Sequence, residues 1–131
     1  MIGADTNVLL RAVVSDDANQ YRLAHQFFAQ RSMEDPAYIC LVVLIEFVWS
    51  LGRSYRYSES DAREAVRRMM SAADILLEKH ELVEECMMAA NSDLGLADLL
   101  IAAGNLAEGC SHTVTFDKVA ARSIPSMELL A

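Results

Sequence analysis

Cysteine, proline and glycine are all scarce in this chain of 131 residues, at three, two and five. The cysteines, Cys40, Cys86 and Cys110, are odd in number and scattered, and no two form a Cys-x-x-Cys pair. That argues against a disulfide framework or a zinc knuckle and suits a reducing cytoplasm. The glycines are dispersed, and there is no linker, repeat or low-complexity tract. No uncharged run exceeds ten residues (36–45), well short of the ~20 that cross a bilayer. No basic stretch precedes the first apolar residues, the first cation being Arg11, so a signal peptide is not expected. Cations are also in the minority: 11 Lys+Arg against 19 Asp+Glu leave a net charge of −8. Nucleic-acid binders usually present a positive face, so composition alone ranks RNA and DNA low as partners.

What is present is a globular composition, 53% hydrophobic and 23% charged, rather than a disordered one. A single domain over residues 1–131 is expected at the usual ~100–200 residues per domain. Such a chain buries roughly two-thirds of its unfolded surface and needs no staples. The expectation is a cytoplasmic domain with no membrane segment.

Along the chain, residues 1–4 are an apolar opening read as a strand, meeting the N-cap residues Asp5, Thr6 and Asn7. Asp16 and Asp17 open a second helical stretch. Residues 37–40 read as a strand after Asp35-Pro36, and a very apolar helix follows to about Arg53. Ser58 and Ser60-Asp61 open a helix in which Ala62, Ala65, Val66, Met69, Met70 and Ala73 recur on one face. Glu64 and Arg68 are set to pair on its wet side. Residues 75–77 read as a third strand. Leu82, Val83, Cys86, Met87 and Ala90 stripe the next helix, and another spans roughly residues 96–107, stopped by Gly109. Residues 112–116 read as a fourth strand, 117–122 as a helical turn and 127–130 as a last strand. Strands alternating with helices indicate an α/β layer fold with a central, mostly parallel sheet.

Three carboxylates stand out by isolation. Asp5 is the only charge in the first ten residues, Glu46 the only one between Ile39 and Leu51, and Asp98 the only one in the fourteen residues 94–107. An ionised carboxylate in an apolar interior costs several kcal/mol unless paired or bound to metal. Asp5 follows the first strand, at the carboxyl edge where open α/β sheets hold ligands. Asp98 lies where a helix dipole favours negative charge, Glu46 a short way into the helix after the second strand, and Asp117 directly after the fourth. Carboxylates gathered on one rim need raised pKa values or a hard cation. An oxygen-only set without His or Cys suits Mg²⁺ or Mn²⁺ rather than zinc. Each acid also has an ordinary use: Asp5 and Asp117 as N-caps, Asp98 as a first-turn acid, Glu46 on a solvated flank.

The opening Met1-Ile2-Gly3-Ala4-Asp5-Thr6-Asn7-Val8-Leu9-Leu10-Arg11 resembles that of PIN-domain ribonucleases, above all VapC-type toxins of toxin–antitoxin pairs. The resemblance continues through Glu46, through Ala97-Asp98-Leu99-Leu100-Ile101-Ala102-Ala103, and through Thr115-Phe116-Asp117-Lys118. It implies a three-layer α/β/α PIN-like domain and a Mg²⁺- or Mn²⁺-dependent endoribonuclease, dimeric and restrained by a cognate antitoxin. It places metal-binding, catalytic acids at Asp5, Glu46, Asp98 and Asp117, with support from Thr6, Asn7 and Thr115. It also implies products with 5′-phosphate and 3′-hydroxyl ends. The sequence departs from the pattern at Gly95, where relatives commonly carry another acid; Asp93 is out of register.

RNA affinity in so acidic a chain must come from local cations and stacking, with Arg11, Arg53 and Lys118 as candidates and Arg56 and Arg122 beside them. Trp49, in apolar company, reads as core or as a dimer contact rather than as a base-stacking platform. The cysteines read as buried thiols and the seven methionines mostly as core filler. His25, His80 and His112 have no partner at ligand spacing. Two other readings stay open: a PIN-like interaction module without catalysis, motivated by Gly95, and a phosphotransfer domain of receiver or haloacid-dehalogenase type. The latter wants a second Asp at position 7, which is Asn, or an early acidic pair that Asp5 lacks.

Overall fold

The opening strand, β1 (Ile2–Gly3), is only two residues long, because Asp5 turns the chain at once into a helix. The computed structural model describes residues 1–89 and 94–131, and the chain divides into two units, Met1–His80 and Glu81–Ala131. In the first unit β1 is followed by α1 (Thr6–Val13), α2 (Ala18–Ala29), β2 (Ala37–Ile39), α3 (Leu41–Tyr55), α4 (Glu59–Ser71) and β3 (Ile75–Leu77). The strands pair in parallel in the order β1-β2-β3, with Ile2 opposite Ala37 and Tyr38 opposite Leu76. Parallel neighbours need long crossovers, supplied here by helix pairs α1–α2 and α3–α4. Ala37 and Ile39 of the middle strand are wholly buried.

The most buried helix is α3, whose Leu44, Phe47, Val48 and Leu51 recur at i, i+3, i+4 and i+7 and face inward. It packs against α1 and α4. Its N-cap, Cys40, makes no side-chain capping bond. The orphan N–H of Leu41 donates instead to Glu78 Oε1 at 2.7 Å, so a residue after β3 caps a helix that starts 37 positions earlier. The helix ends at Arg56, which adopts a left-handed φ of 58°, an unusual conformation for a residue with a side chain.

Ser58 caps α4, accepting from the N–H of Asp61 at 3.0 Å. On its solvent face Glu64 accepts from Arg68 Nε at 3.4 Å, as its spacing predicts, and also from Arg67. The Arg67 hydrogen bond, followed by the charges of Arg67 and Arg68, holds the Glu64 carboxyl below its ordinary value of 4.5. A depressed pKa contributes stability that is complete above the unfolded value and disappears as pH falls through the folded one. Glu64→Gln is therefore expected to lower Tm near neutrality and to flatten its decline below about pH 4.5. An unchanged acid limb in a melting series would show that this trio adds nothing to folding.

From His80, the last residue of the first unit, α5 (His80–Met88) runs into the second, where α6 (Leu96–Ala107), β4 (Thr113–Thr115), α7 (Lys118–Ser123) and β5 (Met127–Leu129) follow. Here β4 and β5 pair in parallel, Thr113 opposite Met127. Leu94, Ala102, Ala120, Ile124 and Met127 form the core, with Leu99 against it. Asn105 Nδ2 donates to Thr113 Oγ1 at 2.9 Å, tying α6 to β4. Gly109 ends α6 as expected, at a φ of +99° that only glycine adopts without strain.

All five strands read from the sequence are present and every pairing is parallel, so the fold is the expected α/β class. Among the described residues β1, β2 and β3 are hydrogen-bonded to one another, and β4 to β5. Among the described residues no helix is long and apolar enough to cross a membrane. Two packing expectations are corrected. Cys110 is exposed and Cys40 half-buried, leaving Cys86 as the buried thiol. Of the methionines, Met69 and Met127 are buried, whereas Met1, Met33 and Met88 are largely exposed. Ala90, in the expected α5 stripe, and Asp93 lie outside the described residues.

Candidate active site

Asp5 is the N-cap of α1, as its place after β1 allows. Its Oδ1 accepts from the N–H of Val8 at 3.0 Å, and its second oxygen takes no hydrogen bond among the described residues. Thr6 and Asn7 are the first two residues of α1, Thr6 half-buried and Asn7 exposed. Asp5 and Asn7 line a cavity of about 320 Å³ with Val8, Arg11, Gln20 and Leu23. Arg11, expected as an RNA contact, is engaged within the protein. Its Nε donates to Gln20 Oε1 at 2.7 Å, and its Nη1 lies 3.0 Å from Tyr55 Oη and 3.3 Å from Asp16 Oδ1. These bonds tie α1 to α2 and α3, and the Tyr55 bond, followed by the charge of Asp16, raises the guanidinium pKa.

Glu46 lies five residues into α3, on the face opposite Leu44, Phe47, Val48 and Leu51. Its carboxylate is exposed and, among the described residues, takes no hydrogen bond or ion pair. Trp49 shares that face and is 55% exposed. It is not a core residue, correcting the expectation drawn from its apolar neighbours. Arg53, one turn on, lies with its guanidinium carbon 5.3 Å from the centre of the Trp49 indole. The signal that could have found this pair is helical phase: residues 42, 46, 49 and 53 fall opposite residues 44, 47, 48 and 51.

In the second unit Asp98 is a half-buried acid in the first turn of α6, where the helix dipole favours a negative charge. Gly95, the departure from the family pattern, is the N-cap of α6 and offers no side chain to it. Asp117 caps α7, its Oδ1 accepting from the N–H groups of Val119 and Ala120 at 2.9 and 3.0 Å. Thr115 Oγ1 accepts from the Asp117 N–H at 3.0 Å. Lys118, the first residue of α7, is exposed.

Two features of this arrangement correct the electrostatic premise. Asp5, Glu46 and Asp117 are exposed rather than marooned in an apolar interior, so no burial cost demands a cation at those positions. Among the described residues, neither unit by itself gathers three His, Cys, Asp or Glu side chains close enough to hold one metal ion. The donor chemistry still fits a hard divalent cation. All four acids offer oxygen alone, and among the described residues Asp5 caps its helix with one oxygen and keeps the other, and Glu46 is uncommitted.

A PIN domain family model matches residues 3–123, running from β1 through α7. The chain belongs to the PIN domain family. No curated protein matches the sequence. PIN domains are nuclease-type folds, generally hydrolases that use divalent metal ions. In this PIN domain Asp5 and Asp117 sit on helix caps two residues after the ends of strands β1 and β4, and Asp98 in the first turn of α6. The capping function of Asp5 and Asp117, open in the sequence, is realised in the structure.

Proposed function

We propose that this PIN domain is a Mg²⁺- or Mn²⁺-dependent endoribonuclease and the toxin of a type II toxin–antitoxin pair. In this reading it acts in the cytoplasm as a homodimer and is restrained by a cognate antitoxin protein. The observation that carries the nuclease assignment is the family match over residues 3–123. The opening segment around Asp5 and the Ala97–Asp98 segment support the toxin subtype.

Asp5 and Asp98 would hold the ion directly, and Glu46 and Asp117 would orient water or hold a second ion. When bound, such an ion supplies neutralising charge at the phosphoryl oxygens and a water of lowered pKa. The chain itself keeps the Asp5 and Asp117 carboxylates in fixed rotamers through their capping bonds. Thr115 fixes the backbone that carries Asp117. No covalent nucleophile is required of the protein.

The test is structured RNA incubated with purified protein in Mg²⁺, in Mn²⁺ and in excess chelator. Cleavage is expected with either metal and absent in chelator; cleavage that persists in chelator would remove the assignment. Gly95, which places no carboxylate at the start of α6, favours a second reading, an inactive interaction module. Metal-independent inertness toward RNA in a folded sample would establish it. For the toxin role, expression is expected to arrest growth and co-expression of the neighbouring small gene to relieve it. Unaffected growth would sink that half of the proposal.

A further inference from the structure

The outer face of α3 carries Val42, Glu46, Trp49 and Arg53 at i, i+4, i+7 and i+11, all exposed, Val42 by 61%. An indole left in solvent with a guanidinium stacked on it is a poor use of apolar area in a folding core. It is the combination that single-stranded nucleic acid uses, an aromatic plane for a base and an arginine for its phosphate.

Charge narrows the occupant. Neither Arg53 nor Arg56 pairs with a carboxylate among the described residues, and both are exposed. The cations are also unevenly placed. Met1–His80 holds nine Lys+Arg against eleven Asp+Glu, while Glu81–Ala131 holds two against eight. An anionic strand therefore meets the least repulsion on the first unit, and α3 ends there in two unpaired arginines. An apolar partner would leave both arginines to be desolvated without a counter-charge. At a helical rise of ~1.5 Å per residue, Arg53 lies ~10 Å along the axis from Glu46, about three stacked nucleotides at ~3.4 Å each.

We infer that Trp49 and Arg53 form a single-stranded nucleotide subsite: the indole stacks a base of the RNA, and the guanidinium pairs with its phosphate. The inference rests on the endoribonuclease reading and adds to it a pair of positioning residues that lay the strand along α3 toward Glu46. Stacking tolerates any base, so the subsite contributes affinity and placement rather than sequence preference.

Trp49 is the chain's single tryptophan, so its emission reports this site alone. The whole protein is titrated with a ten-nucleotide oligouridine in chelator, which keeps the strand intact. Quenching of the emission is expected, saturating together with the anisotropy of a labelled strand. Trp49→Ala should weaken binding roughly 5- to 100-fold and Trp49→Phe by no more than about threefold, as stacking predicts. Arg53→Ala should reduce the slope of log affinity against log salt by roughly 0.7, one phosphate contact on a single strand. Saturating RNA with unchanged emission, or wild-type affinity in Trp49→Ala, overturns the subsite. Emission that shifts with protein concentration and ignores RNA also overturns it, assigning the face to a second copy of the chain. Silent emission in a protein that still cleaves RNA with Mg²⁺ removes the subsite and leaves the nuclease reading. Quenching in a protein that cannot cleave supports the subsite and removes catalysis.

Discussion

Asp5→Asn and Asp98→Asn are each expected to lower metal-dependent RNA cleavage by at least about a hundredfold while leaving the protein folded. A catalytic ion contributes several kcal/mol of transition-state stabilisation, and ~1.4 kcal/mol is a factor of ten in rate. Removing the charge of a direct ligand forfeits much of that. The choice of Asn matters because Asp5 has a second occupation as the cap of α1, accepting from the Val8 N–H. Asn caps a helix about as well as Asp, whereas Ala would cost ~0.5–2 kcal/mol. Asp5→Asn thus separates the ligand from the cap: cleavage should fall and Tm should not. Asp98 sits in the first turn of α6, where the dipole's share of its charge is ~0.3–1 kcal/mol. Rates and melting curves for both variants check this. Undiminished cleavage in both would reject these acids as ligands; a fall in rate matched by a fall in Tm would leave Asp5 a cap and nothing more.

The largest effect on stability is expected at Phe47. Its side chain is wholly buried in α3, among Leu44, Val48 and Leu51, so Phe47→Ala should cost ~3–5 kcal/mol through lost transfer energy and the cavity left behind. That is a large part of the ~5–15 kcal/mol by which domains are stable. Trp49, two residues further on, is the larger side chain, yet Trp49→Ala should cost less, about 1–2 kcal/mol, because the indole points outward and is 55% exposed. Urea unfolding of the two variants at equal m compares them directly. Equal losses, or a Phe47 loss under about 1 kcal/mol, would mean that α3 does not carry the core of the first unit. The contrast also keeps the Trp49 binding measurements clear of unfolding.

Much of the local structure was legible because its causes are local. Ser58 and Gly109 announced their helix boundaries by capping chemistry alone, and β3 was visible at residues 75–77 as an apolar run between polar flanks. Less legible was whatever depended on phase or on a distant partner. Glu46 and Trp49 looked buried because their neighbours in sequence are apolar, but a helix sorts neighbours by angle, and both lie outward. Arg11 looked like a free cation, and nothing near it in sequence names Tyr55, 44 residues away, as its partner.

By itself, then, the sequence determined the alternation of strand and helix and the parallel pairing that such crossovers impose, since periodicity, caps and turn residues act over a few positions; membership of the PIN family came from the match over residues 3–123. Tertiary structure alone decided that Glu78 would cap α3 at Leu41, that Arg11 would be spent on joining helices, and that the indole of Trp49 would face water beneath Arg53. Those outcomes depend on which side of each helix the core claims and on which groups folding brings within hydrogen-bond reach, and neither is a property of adjacent residues.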